Sequence, residues 1–143
     1  MSRQDVERLD DQGIAAWDQH DPDAFVALLA DGFVWRDSTM PEPMRSASDA
    51  RAYVQAWITA FPDMHITRTQ RVVSDEQVAG EVEITGTNSG PVSFGGQDIP
   101  ATGRKITAHG TYFTRIESGR IVEFNTRPDV AEMMSQLGLM PSQ

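Results

Sequence analysis

Arg127, Pro128 and Asp129 stand at the end of the last strand-like segment of this chain, and His109 stands in the segment before it. An Asp, an Arg and a His brought together can move a proton. Burial disfavours the charged form of a carboxylate, and a nearby Arg or protonated His favours it. A carboxylate poised between these effects is a general acid/base, worth on the order of 100- to 10,000-fold in rate. The spacing that would gather these residues is that of a hairpin. Residues 104–116 and 120–127 read as strands joined by a tight turn at Ser118-Gly119. That turn sets His109 opposite Pro128, flanked by Arg127 and Asp129. Strand side chains alternate faces, so Glu123, Asn125 and Arg127 share one face. Asp129 joins them if extended geometry persists through Pro128. Thr107, His109, Thr111 and Phe113 share a face of the neighbouring strand. The pocket is expected on this ionisable face. Asp129 also fits the N-cap of a final helix over 130–135, and the two roles are compatible.

The remaining elements must position that hairpin. Residues 3–19 carry Val6, Leu9, Ile14 and Trp17 at helical spacing. Asp21 and Pro22 start a second helix, read over 23–30 and stopped by Asp31-Gly32. Phe33 to Asp37 is strand-like, and Ser38 to Pro43 is a loop. A third helix begins at Ser48 and ends at Phe61-Pro62-Asp63. Strands follow at 65–74 and 77–87, with a turn at Asp75-Glu76. The Gly- and Pro-rich segment from Asn88 to Gly103 reads as a long loop, with a short strand at Val92–Phe94. Residues 136–143 form a tail. Helices first and strands after predict an α+β domain spanning 1–143. Three helices would cover one face of a curved antiparallel sheet. A partly closed sheet leaves a cone with an open mouth, a natural small-molecule pocket.

Composition removes several classes of function. The chain has 143 residues and no cysteine, so thiolate metal sites, disulfides and a Cys nucleophile are excluded. His20, His65 and His109 lack metal-ligand spacing, and no metal is expected. No Gly-rich phosphate loop occurs, and Gly95-Gly96 lies in a loop without strand-to-helix context, so no cofactor is expected. A net charge of −9 repels nucleic acid and anionic membrane. No stretch approaches the roughly 20 apolar residues that span a bilayer. The N-terminus is polar and acidic, unlike a secretory signal, and the cytoplasm is the expected compartment.

The order of several short motifs resembles the SnoaL-like polyketide cyclases, within the nuclear transport factor 2-like superfamily. The carriers are His20-Asp21-Pro22-Asp23-Ala24, Leu28-Leu29-Ala30-Asp31-Gly32, Phe61-Pro62-Asp63-Met64 and Gly86-Thr87-Asn88-Ser89-Gly90. They continue with Ile99-Pro100-Ala101-Thr102-Gly103-Arg104, Ser118-Gly119-Arg120-Ile121-Val122-Glu123, Asp129 and Gln136-Leu137-Gly138-Leu139. The resemblance implies a cone-shaped α+β fold, a small hydrophobic ligand and a homodimer. It also matches Asp129 to the acid/base Asp of the ester cyclases, which closes a ring by an aldol reaction beside a carbonyl. Two positions depart from that pattern, Arg127 and Asn88, where the family carries His.

Two other resemblances bear on the site. Leu28 to Asp37 is similar to the ketosteroid isomerase segment that supplies the general base, which matches Asp37. The isomerase's oxyanion donors correspond to Ile14 and about Thr111, so steroid isomerisation is rejected. Arg127-Pro128-Asp129 is similar to the Arg and Asp of limonene-epoxide-hydrolase-like proteins. The expected function is therefore acid/base chemistry on a hydrophobic, carbonyl-bearing molecule, cyclase or isomerase in type. Asp129 is the proton-transfer residue, with His109 and Arg127 as partners. Asp37, Asn88 and Asn125 are expected to touch substrate, within aromatic walls made by Trp17, Trp35, Trp57, Phe61, Phe113 and Tyr53. An epoxide-opening hydrolase or cyclase, and a non-catalytic ligand-binding member, are the alternatives.

Overall fold

The structure, a computed structural model, describes residues 2–94 and 97–140, the side chains of Phe94 and Gln97 excepted. Gly95-Gly96, and residues 141–143 of the tail, lie outside the described residues. Helix α1 runs Arg3–Asp18. The Ser2 hydroxyl accepts from the Asp5 N–H and the Asp5 carboxylate accepts from the Ser2 N–H, a reciprocal cap. Its buried face is Val6, Leu9, Gly13 and Ala16, at helical spacing. Helix α2 is Pro22–Val26, capped by Asp21 with Pro22 at its first position. It stops short of the predicted end at 30, because Leu29 opens strand β1 (Leu29–Asp37) and pairs with Ile121. Asp31-Gly32, read as a stop, lies inside that strand where the pairing register shifts, and Gly32 has φ 77. Helix α3 is Ala47–Ala60, capped by Ser46.

The strands follow as β2 (His65–Val73), β3 (Gln77–Thr87), β4 (Val92–Phe94), β5 (Gln97–Ile99), β6 (Lys105–Glu117) and β7 (Arg120–Pro128), and helix α4 (Val130–Gln136) closes the chain. The main sheet has the order β1-β7-β6-β3-β2, and β4-β5 is a separate hairpin. Its pairs are antiparallel except β1 with β7, which run parallel. This departs from the antiparallel expectation. Parallel neighbours need a long crossover, and here helix α3 and strands β2 to β6 intervene between them.

The β6–β7 turn is the predicted one. Ser118 at φ 51 and Gly119 at φ 78 are both left-handed, as the tight hairpin turn requires. The register is not the predicted one. Ile116 pairs with Ile121, but the next pair is Arg115 with Glu123, so Val122 is the extra residue of a bulge. Pro128 therefore lies opposite Gly110 instead of His109.

The facing of the hairpin is also reversed. Ile106, Ala108, Gly110, Tyr112, Thr114 and Ile116 are buried, while Thr107, Thr111 and Phe113 are exposed and His109 is partly so. Apolar area drives this choice, since the alternate row ends in Lys105, Arg115 and Glu117, whose charges favour water. Along β7, Phe124 is buried and Arg127 is exposed. The ionisable row that was expected to line the pocket is the outer face of the sheet.

Helix α4 completes an edge. Strand β6 runs past the end of β7, which leaves its backbone unpaired on that side at 107 and 109. Gln136 fills one gap, its Oε1 accepting from the Thr107 N–H at 2.6 Å and its Nε2 donating to the Thr107 carbonyl at 2.8 Å. Glu132 accepts from the His109 N–H at 2.7 Å, and the Asp129 N–H donates to the His109 carbonyl at 2.8 Å. Buried backbone groups need such partners. Among the described residues, no helix is long and apolar enough to cross a membrane.

Candidate functional site

A cavity of about 100 Å³ lies between the helices and the inner face of the sheet. Trp17, Phe25, Trp35, Tyr53, Tyr112 and Phe124 line it, together with Asp37 and Thr126. Trp35 is fully buried and stands edge-on to Tyr53, with ring centroids 5.0 Å apart. Asp37 ends β1 two residues later, on the same face, and is only 6% exposed. The parallel pairing sets it beside Thr126. The Thr39 N–H and hydroxyl both donate to Asp37 Oδ1, at 2.8 and 2.6 Å. The Thr126 hydroxyl donates to Oδ2. Trp35 Nε1–H, which can only donate, gives its proton to Thr126 Oγ1 at 2.8 Å. Two donor chains thus converge on one buried carboxylate. The Tyr53 hydroxyl lies 3.4 Å from Thr39 Oγ1. Burial, then the charge of Asp37, holds the Tyr53 phenol well above its ordinary range, so it stays protonated. Among the described residues, Asp37 has no ion pair.

The opposite wall carries a second polar group. Tyr112 donates to Asp10 Oδ1 at 2.8 Å. Arg68 and Arg71 both donate to Asp10 Oδ2, at 2.9 and 3.1 Å, and both also reach Asp11. Two cations and two carboxylates balance there. Gly80, opposite Tyr112 on β3, makes room for the ring, since a Cβ would lie 2.5 Å from it. Burial first, then the charge of Asp10, pushes the Tyr112 phenol far above its ordinary range. This cluster is an internal brace between α1, β2 and β6. A second cavity of about 370 Å³ lies outside α3, between the 39–44 loop and β4. Tyr53 and Trp57 line both cavities.

The expected residues divide into two groups. Trp17, Trp35, Trp57, Tyr53 and Asp37 line the inner cavity. Phe61 is fully buried and lines the outer cavity instead. Phe113 points outward, 37% exposed, and Asn125 is paired with it on that face. Asn88 is fully buried but lines neither cavity. Its Nδ2 donates to the Ala60 and Gly90 carbonyls, and its Oδ1 accepts from the Thr102 N–H and hydroxyl. One of these bonds reaches α3, and the other three join Gly90 and Thr102 across the segment that follows β3. Asp129 is exposed, and its carboxylate accepts from the Glu132 N–H at 3.0 Å as the cap of α4. His109 pairs with Glu132 at 2.9 Å on the outer face. Arg127 borders the inner cavity but is exposed, and among the described residues it has no ion pair with Asp129. The structure therefore does not gather Asp129, Arg127 and His109 around the cavity.

Sequence reading missed Thr39, Thr126, Tyr112 and Asp10. One signal was available. Ile106, Ala108, Tyr112 and Ile116 form the apolar row of β6, and Phe124 with Thr126 lies two residues apart on β7. Among the described residues, no group of three or more His, Cys, Asp or Glu side chains is placed to hold a metal ion.

A model of the SnoaL-like domain matches residues 11–124. No curated protein matches the chain. Among solved structures, TsrD from Streptomyces laurentii is similar at 24% identity and TM-score 0.82, over 98% of this chain and 99% of that one. IdmH from Streptomyces antibioticus, provisionally assigned as a polyketide cyclase, is similar at 26% identity and TM-score 0.74, over 92% and 97%. A protein from Catenulispora acidiphila with a ketosteroid isomerase-like fold, solved in complex with trimethylamine, is similar at 16% identity and TM-score 0.76, over 92% and 93%. The fold is that of the nuclear transport factor 2-like and ketosteroid isomerase-like proteins.

Proposed function

Starting from the fact that this chain belongs to the SnoaL-like domain family, we propose that it is a small-molecule enzyme whose acid/base residue is Asp37. The observation that carries this reading is a carboxylate 6% exposed, inside an aromatic cavity, with no ion pair among the described residues. A carboxylate so placed can take a proton from a bound molecule and return it elsewhere. Thr39 and Thr126 orient both of its oxygens, so its geometry is fixed before substrate arrives. The substrate is small and largely apolar, to match the walls. Removing a proton from the carbon beside a C=O or C=N double bond, the step that aldol-type cyclisation and isomerisation share, is the reaction class of this reading. Asp129 serves here as a helix cap, and an epoxide opener built on Arg127 and Asp129 is not favoured. A homodimer through the outer sheet face belongs to the same reading, with Val72 75% exposed in a row with Ala79 and Phe113. Light scattering tests it.

A second reading, a ligand-binding member without turnover, is favoured by the similar fold that was solved with trimethylamine. Proton exchange separates the two. A panel of small apolar ketones and amines is incubated with the protein in heavy water, and carbon-bound exchange is followed by nuclear magnetic resonance. Asp37→Asn should slow exchange by about 100- to 10,000-fold. Full exchange by Asp37→Asn removes Asp37 from the role, and absence of exchange in the natural chain favours binding alone.

A further inference from the structure

The direction of the hydrogen bonds around Asp37 constrains what can bind there. Trp35 Nε1–H is donated to Thr126, and the single hydroxyl proton of Thr126 is donated to Asp37. Thr39 donates both its N–H and its hydroxyl to the other oxygen. On the far wall, the Tyr112 proton goes to Asp10. These protons are committed inside the protein and are not offered to a ligand. The cavity offers an unpaired carboxylate and aromatic rings; Thr114 also lines it, as do Thr111 and Arg127, whose side chains are exposed to water. Trp17, Trp35 and Tyr53 are mutually near-perpendicular, at 76° to 81°, with centroids 5.0 to 6.5 Å apart.

Charge bookkeeping then separates two kinds of acid. Taking a proton from a neutral carbonyl compound moves the negative charge from Asp37 onto an enolate oxygen. That anion needs donors in a dry cavity. Thr111 and Arg127, which border the cavity, are exposed, and water weakens the help they give such an anion. Taking a proton from a cation instead removes both charges together. Carboxylate and cation become a neutral acid and a neutral base, an outcome that burial favours.

We infer that the inner cavity takes a small organic nitrogen cation, an alkylammonium or iminium compound, whose charge is met by Asp37 and by the faces of Trp17, Trp35 and Tyr53. The inference rests on Asp37 as the acid/base residue and names its substrate class. In the reacting step, an Asp37 oxygen takes the proton from the carbon next to the C=N⁺ bond. The C–H electron pair forms the new C=C bond, and the C=N pair returns to nitrogen. A neutral enamine and a protonated Asp37 result, and the reverse step delivers the proton. The outer cavity, which shares Tyr53 and Trp57 with the inner one, carries Glu42 and Asp49. The net charge of −9 draws cations toward the protein as a whole.

The test compares choline with its neutral isostere, in which carbon replaces the ammonium nitrogen, by calorimetry on the full chain. Choline should bind about tenfold or more tightly than the isostere. In Asp37→Asn, which keeps an acceptor for Thr39, that preference should shrink to within about twofold while isostere binding persists. Equal affinity for both probes in the natural chain, tighter binding of the isostere, or no binding of choline overturns the inference. Since the natural chain alone decides it, a misfolded variant does not protect it. Equal affinity with intact Asp37-dependent exchange sinks the cation class and leaves Asp37 as the base. Exchange that survives Asp37→Asn sinks the base and leaves the probe comparison standing.

Discussion

Asp37 and Asp129 sit near the same end of β7 and have opposite surroundings. Asp37 lies beside Thr126 in the parallel register, and Asp129 follows Pro128, the last residue of the strand. Asp37 is buried among aromatic rings and receives hydrogen bonds from Thr39 and Thr126. Asp129 is exposed and receives one from the first turn of α4. Both carboxylates are held by donors, so holding alone does not mark a reactive group. The difference is the medium: the inner cavity strengthens every charge interaction made there, and water weakens those made by Asp129. Strand parity decides which acid gets which medium. Thr126 and Phe124 line the cavity, and Arg127, at its border, is exposed.

The comparison can be broken in three places, in falling order of effect. Thr126→Val removes the hydroxyl between Trp35 and Asp37 while keeping the side chain's shape. It leaves the Trp35 N–H and one carboxylate oxygen without a partner, at a cost of about 1–3 kcal/mol in chemical denaturation. It should also slow any Asp37-dependent exchange. A neutral effect on both would mean that the chain from Trp35 to Asp37 is not formed in solution. Asp129→Ala should cost about 1 kcal/mol, and Asp129→Asn close to nothing, because Asn caps as well as Asp. Neither should alter ligand binding or exchange. A loss of turnover in Asp129→Asn with unchanged stability would restore Asp129 as the catalytic acid.

The smallest effect is a pH dependence on the outer face. The hydrogen bond that the His109 ring donates to Glu132 raises the pKa of His109 above its ordinary value, against a smaller opposing effect of burial. A raised folded pKa stabilises the fold fully below the unfolded value, near 6.5, and the benefit is lost as pH rises through the folded value. The melting difference between the natural chain and His109→Gln should therefore be largest in mild acid and vanish in base. A difference that is flat or grows with pH would show that the His109–Glu132 pair does not form.

Much of the architecture was legible because it is written locally. Turn chemistry at Ser118-Gly119, the Asp21-Pro22 helix start and the Asp129 cap each depend on a few adjacent residues. The α+β cone and the family followed from short motifs in order. The site was less legible for three physical reasons. The bulge at Val122 shifts the pairing of β6 and β7 without a strong marker in sequence. The parallel pairing of β1 with β7 joins Asp37 to Thr126 across 89 positions, beyond the reach of local pattern. The row containing His109, Arg127 and Asp129 has the chemistry of an active site and the polarity of a sheet's outer face. The apolar row of Ile106, Ala108, Tyr112 and Ile116 was the better guide, since area buried outweighs the presence of ionisable groups. Asn88 shows the same ambiguity, as a buried amide bonded to backbone carbonyls and to Thr102 that lines neither cavity.

The most direct measurement is a crystal structure of the protein carrying a bound organic cation, from its producing cells or from soaking. Density is expected in the inner cavity, with a ligand atom within about 3 Å of an Asp37 oxygen and the aromatic rings of Trp17, Trp35 and Tyr53 around it. Density on the outer face beside Asp129, with the inner cavity empty or filled by side chains, would contradict it.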